Sequence, residues 1–125
     1  MVNPVEVVER YQQATARGDF KTARTLVHDD LSFHGPFDRF NRPEPLFAAL
    51  QMLRTIVERA DVKKVFVDGS DVCVLYDLVT NTVGTELIAE WYKVKDNKIS
   101  HIRALFDARP FAPMFANREK AQRAG

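Results

Sequence analysis

Cysteine is scarce in this 125-residue sequence, which contains a single one, Cys73. One cysteine cannot form a disulfide within the chain, which excludes a disulfide-stabilised secreted fold and favours a reducing compartment. The N-terminus shows neither the basic nor the apolar region of a signal peptide, and no apolar stretch approaches the ~18 residues of a membrane span. We therefore expect a cytoplasmic protein without a membrane partner.

The sequence also lacks an excess of either charge and lacks the motifs that bind common cofactors. The 18 lysines and arginines nearly balance the 17 aspartates and glutamates, for a net charge of +1, so no large field favours nucleic acid as a partner. The sequence has no glycine-rich phosphate loop, no paired CxxC, no HExxH and no serine or cysteine nucleophile motif. Its three histidines are far apart in the sequence. We therefore expect neither a metal nor another cofactor.

With 46% hydrophobic and 28% charged residues, the whole sequence has the composition of a globular protein. In its first half the apolar residues recur with the period of helices. Asn3, as an N-cap followed by proline, predicts the start of a first helix, and Gly18 predicts its end. Asp19 then begins a shorter second helix, which is predicted to end at Asp29–Asp30. A third helix is predicted after Pro45. Its apolar face has members at three- and four-residue steps, namely Leu46, Ala49, Leu50, Leu53, Ile56 and Val57.

From Val62 onward the apolar period changes to two residues, which is typical of strands. Strands are predicted at 62–67, 72–80, 85–94 and 99–107. Their three connections are short turns, so they form an antiparallel meander, which a short strand at Leu31–His34 joins. Helices followed by strands predict an α+β fold, with three N-terminal helices on one face of a mixed but mostly antiparallel sheet. The chain is predicted to be one domain, 1–125, with residues 111–125 as a tail.

Several short strings, in their order along the chain, resemble the SnoaL-like branch of the nuclear transport factor 2-like superfamily. The strings are Val8-Glu9-Arg10-Tyr11, Gly18-Asp19-Phe20, Asp29-Asp30, Gly35-Pro36, Ile102-Arg103-Ala104-Leu105-Phe106-Asp107 and Arg109-Pro110-Phe111. The resemblance spans nearly the whole chain and implies a cone of three helices on a curved sheet. The superfamily includes ketosteroid isomerase, polyketide cyclases and limonene epoxide hydrolase. The resemblance thus implies a pocket for a small molecule, with isomerase, cyclase or hydrolase chemistry and no cofactor.

The catalytic positions of that superfamily are only partly matched in this sequence. In ketosteroid isomerase a tyrosine on the first helix and an acid on the penultimate strand form an oxyanion hole, and Tyr11 and Glu90 fall at those positions. The base of that isomerase corresponds here to Gly35. The essential aspartate of limonene epoxide hydrolase and of the polyketide cyclases corresponds to Ala104. The resemblance therefore implies the pocket but not the standard base.

Glu90 is the candidate acid that the residues themselves indicate most strongly. It lies in an apolar strand, on the same face as Ile88, Tyr92 and Val94. A glutamate in such a row must be paired, solvated or protonated, because burying its charge alone costs several kcal/mol. Glu90 is therefore either an acid in the pocket or a structural residue on the outer face of the sheet.

Asp77 is a second candidate, and its role depends on strand register. In one register of the turn at residues 81–84, Asp77 lies across from Glu90, whereas a slip of one residue places Tyr76 there. Two carboxyl groups in contact would share a proton and supply a general acid. In the alternative interpretation Asp77 faces the edge of the sheet and pairs with an arginine.

Two further side chains have open roles. His34 alternates with the apolar residues of the first predicted strand, so it would enter the pocket only through a bulge before Gly35. Tyr11 either packs as a core tyrosine or places its hydroxyl in the pocket. With Glu90 and Asp77 they complete the candidate catalytic set. The rest of the pocket lining is predicted to comprise Phe33, Leu53, Tyr92, Ile102, Ala104 and Phe106.

The outer face of the sheet is expected to carry Trp91 and Leu105, and an exposed tryptophan beside a leucine suggests a homodimer interface. His101 and Arg103 are predicted at or near it. Three functions remain open at this point. The chain performs cofactor-free acid–base catalysis on a small, mostly apolar molecule, or binds such a molecule without turnover, or acts as a dimeric interaction module.

Overall fold

Three helices and six strands make up residues 3–114, the part of the chain that this computed structural model describes. The helices are α1 (Pro4–Arg17), α2 (Phe20–Thr25) and α3 (Pro43–Arg54). The strands are β1 (Val27–His34), β2 (Arg39–Phe40), β3 (Val57–Asp68), β4 (Asp71–Thr80), β5 (Thr85–Lys95) and β6 (Lys98–Leu105), and a 3-10 turn follows at Arg109–Phe111.

Local capping sets both ends of α1. The Asn3 side chain accepts a hydrogen bond from the Val5 backbone N–H at 2.9 Å, which satisfies one free donor of the first turn. Gly18 ends the helix in the left-handed conformation, at φ 76°, which glycine adopts without a side-chain clash. Asp19 then caps α2 by accepting from the Thr22 backbone N–H at 3.0 Å. These three predicted boundaries are confirmed.

The ends of two helices were predicted wrongly. Helix α2 ends at Thr25, and Asp29–Asp30 lies within β1, which begins at Val27. An irregularity in β1 between Val27 and Ser32 breaks the alternation that marks a strand in sequence. Helix α3 ends at Arg54, so Val57 belongs to β3 and not to the helical face.

Strand β3 begins five residues before the predicted Val62, and its register shifts twice, between Val57 and Arg59 and between Val62 and Lys64. Each shift interrupts the two-residue period, which is why the first half of this strand does not look like one in the sequence. The residues after Lys64 alternate regularly, and the sequence pattern identifies that half correctly.

The sheet has the strand order β2-β1-β6-β5-β4-β3. Strands β3 to β6 form the predicted antiparallel meander. Strand β1 pairs in parallel with β6, and the two-residue β2, in a stretch predicted as a loop, pairs antiparallel with β1. The sheet is therefore mixed and mostly antiparallel, and the predicted α+β architecture is confirmed.

The main core lies between α1 and the inner face of the sheet. Its fully buried residues include Val7, Val8 and Ala14 of α1 and Val72, Val74, Tyr92, Ile99 and Ile102 of the sheet. A second, smaller cluster of Leu78, Ile88 and Phe111 lies nearer the end of the chain. Phe111 is the first residue of the predicted tail, and residues 115–125 of that tail lie outside the described part. Within residues 3–114, no helix has the length and apolar character needed to cross a membrane.

The opposite, outer face of the sheet has no helix over it in the described part of the chain. Several large apolar side chains are exposed there, namely Phe66, Leu87, Trp91 and Leu105. Trp91 lies directly between Cys73 of β4 and Arg103 of β6 in the strand register. The ammonium of Lys93 lies 5.2 Å from the centroid of the Trp91 ring. This surface, defined by these four apolar side chains, is called the outer patch below.

Candidate functional site

Glu90 projects from β5 into the interior of the cone. Its direct neighbours in the register are Val74 on β4 and Ala104 on β6. Both neighbours are buried members of the inner face, and alternation along β5 gives Glu90 the same face as Ile88 and Tyr92. The strand pattern therefore places a carboxyl group among apolar side chains.

Two phenols hold the Glu90 carboxyl group. The Tyr76 hydroxyl donates to Oε1 and the Tyr92 hydroxyl donates to Oε2 at 2.7 Å. The Gln12 amide Nε2 of α1 donates in turn to the Tyr92 oxygen at 3.2 Å. Both oxygens of the acid thus have a neutral donor, and the chain of hydrogen bonds reaches from β4 to α1. Glu90, Tyr76, Tyr92 and Gln12 are called the glutamate–tyrosine cluster below.

Burial raises the pKa of Glu90 above its ordinary value of 4.5, although the hydrogen bonds from Tyr76 and Tyr92 act in the opposite direction. Among the described residues, no lysine or arginine forms an ion pair with Glu90. Burial, together with the nearby Glu90 charge, also raises the pKa of Tyr11, Tyr76 and Tyr92. The phenols therefore stay protonated, and the proton that titrates in the cluster is that of the glutamate.

Two cavities meet at this cluster. The larger one, of about 680 Å³, is lined by Tyr11, Gln12 and Tyr92 among others. The second, of about 520 Å³, lies toward α3 and the end of β6. Glu90 and Tyr76 line both cavities. A ligand in either one can therefore reach the acid.

Most of the predicted lining residues face these cavities. Phe33 and Leu53 line both cavities, whereas Ala104 and Phe106 line the second cavity alone. Tyr92 lines the larger cavity and also holds Glu90. The prediction for Ile102 is wrong, because its side chain packs in the buried core and lines neither cavity.

Tyr11 is both a core residue and a cavity residue. Its ring is nearly fully buried and lies edge-on to Tyr92, with 6.1 Å between the ring centroids. It lines the larger cavity, and the charge of Glu90 contributes to its raised pKa. The two interpretations of Tyr11 left open by the sequence are therefore compatible.

Asp77 does not meet Glu90. It lies opposite Leu87 on the outer face, and Lys63 Nζ is 3.5 Å from its carboxyl group. In the observed pairing of β4 with β5, Tyr76 lies directly opposite Ile88. This register is shifted by two residues from the one that would place Tyr76 directly opposite Glu90. A shift of two residues leaves each side chain on the same face of the sheet. Tyr76 therefore still contacts Glu90, as its diagonal neighbour. A proton shared between Asp77 and Glu90 is thereby ruled out.

His34 lies outside both cavities. The irregularity in β1 precedes Ser32 and there is none before Gly35, so alternation keeps His34 on the outer face, paired in register with Arg103. Partial desolvation lowers the pKa of His34, and the charges of Arg39 and Arg103 lower it further. The bulge that His34 would need in order to turn inward is absent from β1 between Ser32 and His34, so the assignment of His34 to the candidate catalytic set is wrong.

The raised pKa of Glu90 makes stability depend on pH. Between the ordinary pKa of 4.5 and the higher folded-state value, the folded chain holds a proton that the unfolded chain releases. The free energy of unfolding therefore falls as pH rises through this window, by about 1.4 kcal/mol per pH unit at most. Glu90→Gln removes this loss, so its stability relative to wild type should increase across the window.

Urea unfolding of both proteins at a series of pH values measures this difference. If the free energy of unfolding depends on pH in the same way for wild type and Glu90→Gln, the pKa of Glu90 is not raised in the folded protein. Strong destabilisation by Glu90→Gln at neutral pH would identify a charged structural glutamate.

Solved structures with the same architecture define the class of this protein. A protein from Kribbella flavida DSM 17836 is 26% identical, with a TM-score of 0.80 over 92% of this chain and 95% of that one. A nuclear transport factor 2-like protein of unknown function from Cytophaga hutchinsonii is 22% identical, with a TM-score of 0.77 over 89% and 96%. An LEH-like epoxide hydrolase from M. tuberculosis is 20% identical, with a TM-score of 0.71 over 86% and 84%. The fold is that of the nuclear transport factor 2-like proteins.

The family model of the SnoaL-like domain matches residues 8–102. The chain therefore belongs to the SnoaL-like domain family, as the sequence strings suggested. No curated protein sequence matches it significantly.

Proposed function

We propose that the cone binds a small, mostly apolar molecule and that Glu90 exchanges a proton with it, without a cofactor. The observation that carries this proposal is a buried carboxyl group, held by two phenols, at the place where two cavities meet. The reaction is an isomerisation, cyclisation, dehydration or hydrolysis. The shared fold of an LEH-like epoxide hydrolase supports the last class at the level of architecture alone.

The cluster is built to stabilise both protonation states of Glu90. As a carboxylate, Glu90 accepts a hydrogen bond from each phenol, and such bonds stabilise the charged form. As a neutral acid it has one O–H, which a phenol oxygen or a ligand can accept. The acid can therefore give up and recover a proton without leaving a buried polar atom unpaired.

The two phenols differ in their freedom to turn toward a ligand. The Gln12 amide occupies the Tyr92 oxygen as an acceptor and so directs the Tyr92 proton to Glu90. The Tyr76 hydroxyl donates to Glu90, and Tyr76 lines both cavities. We therefore assign Tyr92 and Gln12 a positioning role and assign Tyr76 the second polar contact to the ligand.

Binding in the cone is tested with N-phenylnaphthylamine, a neutral dye that fluoresces in apolar surroundings. The wild type should bind it saturably, and Leu50→Trp should weaken binding at least tenfold, about 1.4 kcal/mol, because Leu50 lines both cavities. The matched control is Leu75→Trp on the outer face, since Leu75 pairs with Ala89 there and lines neither cavity. Equal weakening by both variants, or no saturable binding by the wild type, contradicts the proposal.

A further inference from the structure

The two cavities have different linings. The larger one is bordered by polar side chains of α1, including Gln12, Gln13 and Thr15, in addition to its apolar walls. The second is walled mainly by Phe37, Met52, Phe106 and Phe111. Among the described residues that line the second cavity, the carboxyl groups are those of Glu90 and Asp38, and Asp38 lies in the turn between β1 and β2. The second cavity is therefore an apolar chamber with an acid at its inner end.

The two cavities adjoin beside the acid, since Glu90 and Tyr76 line both. Ala104 lies directly opposite Glu90 in the register and lines the second cavity. Five apolar side chains also line both cavities, namely Phe33, Leu46, Leu50, Leu53 and Leu78. Each cavity alone has a volume within the range of about 300–1,000 Å³ that is typical of complete small-molecule sites. A ligand confined to the larger cavity would leave the apolar chamber unused.

We propose that the substrate spans both cavities, as an elongated molecule with its reacting polar group midway along it, at Glu90 and Tyr76. One arm is aliphatic or aromatic and occupies the second cavity, where a polar group would lack partners along most of the wall. The other arm lies in the larger cavity, where polar substituents can meet the side chains of α1. This proposal rests on the proposed function and specifies the class of substrate for the same site.

Neutral ketones provide a direct probe of this arrangement. In a series of acyl dimethylaminonaphthalenes with acetyl, butanoyl and hexanoyl chains, the single carbonyl group lies between an aromatic arm and an alkyl arm. Their fluorescence changes with the polarity of the surroundings, so dissociation constants follow from titration. For the wild type, each added methylene should lower the dissociation constant by about fourfold while it enters the apolar chamber.

Ala104→Leu fills the second cavity next to Glu90. We expect it to weaken binding of the hexanoyl ketone at least tenfold, about 1.4 kcal/mol, and to change binding of the acetyl ketone less than about twofold, because the longer chain needs the space that the new leucine fills. Ala49→Leu on α3 narrows the same cavity from another element and should act in the same direction if Ala104→Leu does not fold. The matched control is Ala60→Leu, which lines the larger cavity alone and is exposed. Ala60→Leu should leave unchanged the dependence of the dissociation constant on the length of the acyl chain.

Three outcomes separate the possibilities. Selective weakening of the longer ketones in Ala104→Leu or Ala49→Leu supports a ligand that spans both cavities. The same chain-length dependence in these variants as in the wild type overturns that proposal and leaves the proposed function intact. Failure of the wild type to bind any of the ketones or N-phenylnaphthylamine overturns the proposed function itself.

Discussion

Replacing Glu90 with glutamine is expected to slow proton abstraction from nitrobenzisoxazole by about 10²–10⁴-fold in kcat/KM, the usual contribution of a positioned general base. This flat, mostly apolar molecule reports on a carboxylate base in an apolar pocket without knowledge of the natural substrate. The base removes the ring C–H proton, the N–O bond breaks with its electron pair on oxygen, and a coloured cyanonitrophenolate forms. Glu90 fits this role because it is partly buried, faces both cavities and has no ion-pair partner among the described residues.

Asp77→Asn is the matched control, since it removes a carboxyl group from the same sheet but from the outer face, where Asp77 contacts Lys63. We expect it to retain the wild-type rate. A Glu90→Gln variant that also retains the wild-type rate, or a wild-type rate no greater than that of acetate at the same concentration, would falsify the role of Glu90 as a base within reach of a bound molecule.

The pH profile of the same reaction tests the hydrogen bonds around the acid. The rate should rise with pH through the raised pKa of Glu90, because only the carboxylate accepts the proton. Tyr92→Phe removes the donor to Oε2, which favours the neutral acid, so the inflection should move to higher pH. A change in rate without a shift of the inflection would show that Tyr92 does not stabilise the carboxylate.

Local signals in the sequence were sufficient for the features that depend on neighbouring residues. The caps at Asn3 and Asp19 and the glycine stop at Gly18 depend on backbone groups within a few positions, and all three were predicted correctly. The inward facing of Glu90 follows from regular alternation along β5, which has no irregularity from Thr85 to Lys93. Where a bulge interrupts alternation, as in residues 27–30 of β1 and in the first half of β3, that part of the strand was not predicted.

The partners of Glu90 could not be predicted in the same way, because they depend on register and on contacts distant in sequence. The turn between β4 and β5 is closed by the Thr80 N–H and hydroxyl, which both donate to the Gly84 carbonyl oxygen at 2.9 Å. That closure sets a register two residues away from the one that would pair Tyr76 with Glu90, and three residues away from the one that would pair Asp77 with Glu90. Gln12 was missed because its contact with Tyr92 joins residues 80 positions apart. Its place beside Tyr11 on α1 was the one available signal.

The outer patch carries the last prediction, which concerns assembly. The exposed fractions of Phe66, Leu87, Trp91 and Leu105 are 51%, 56%, 40% and 52%. Phe66 and Trp91 flank Cys73 in one row of the register, and Leu105 lies diagonally beside Trp91. An apolar surface with an aromatic centre and polar neighbours such as His101 and Arg103 has the composition of a protein–protein interface. We propose that a second copy of the chain covers it.

Trp91→Asp places a charge at the centre of that surface and should raise the dissociation constant of the dimer at least thirtyfold, as expected for a central tryptophan worth about 2 kcal/mol or more. Sedimentation velocity over a range of concentrations measures the shift toward monomer. The matched control is Val67→Asp, which changes a residue of similar exposure, 53%, on the inner side of the sheet, where Val67 pairs with the buried Val72. We expect Val67→Asp to sediment like the wild type. The assignment of this face is contradicted if the wild type sediments as a monomer at the highest concentration, or if both variants dissociate equally. A surface that mediates association must respond to a charge at its centre and not to one on the other side of the sheet.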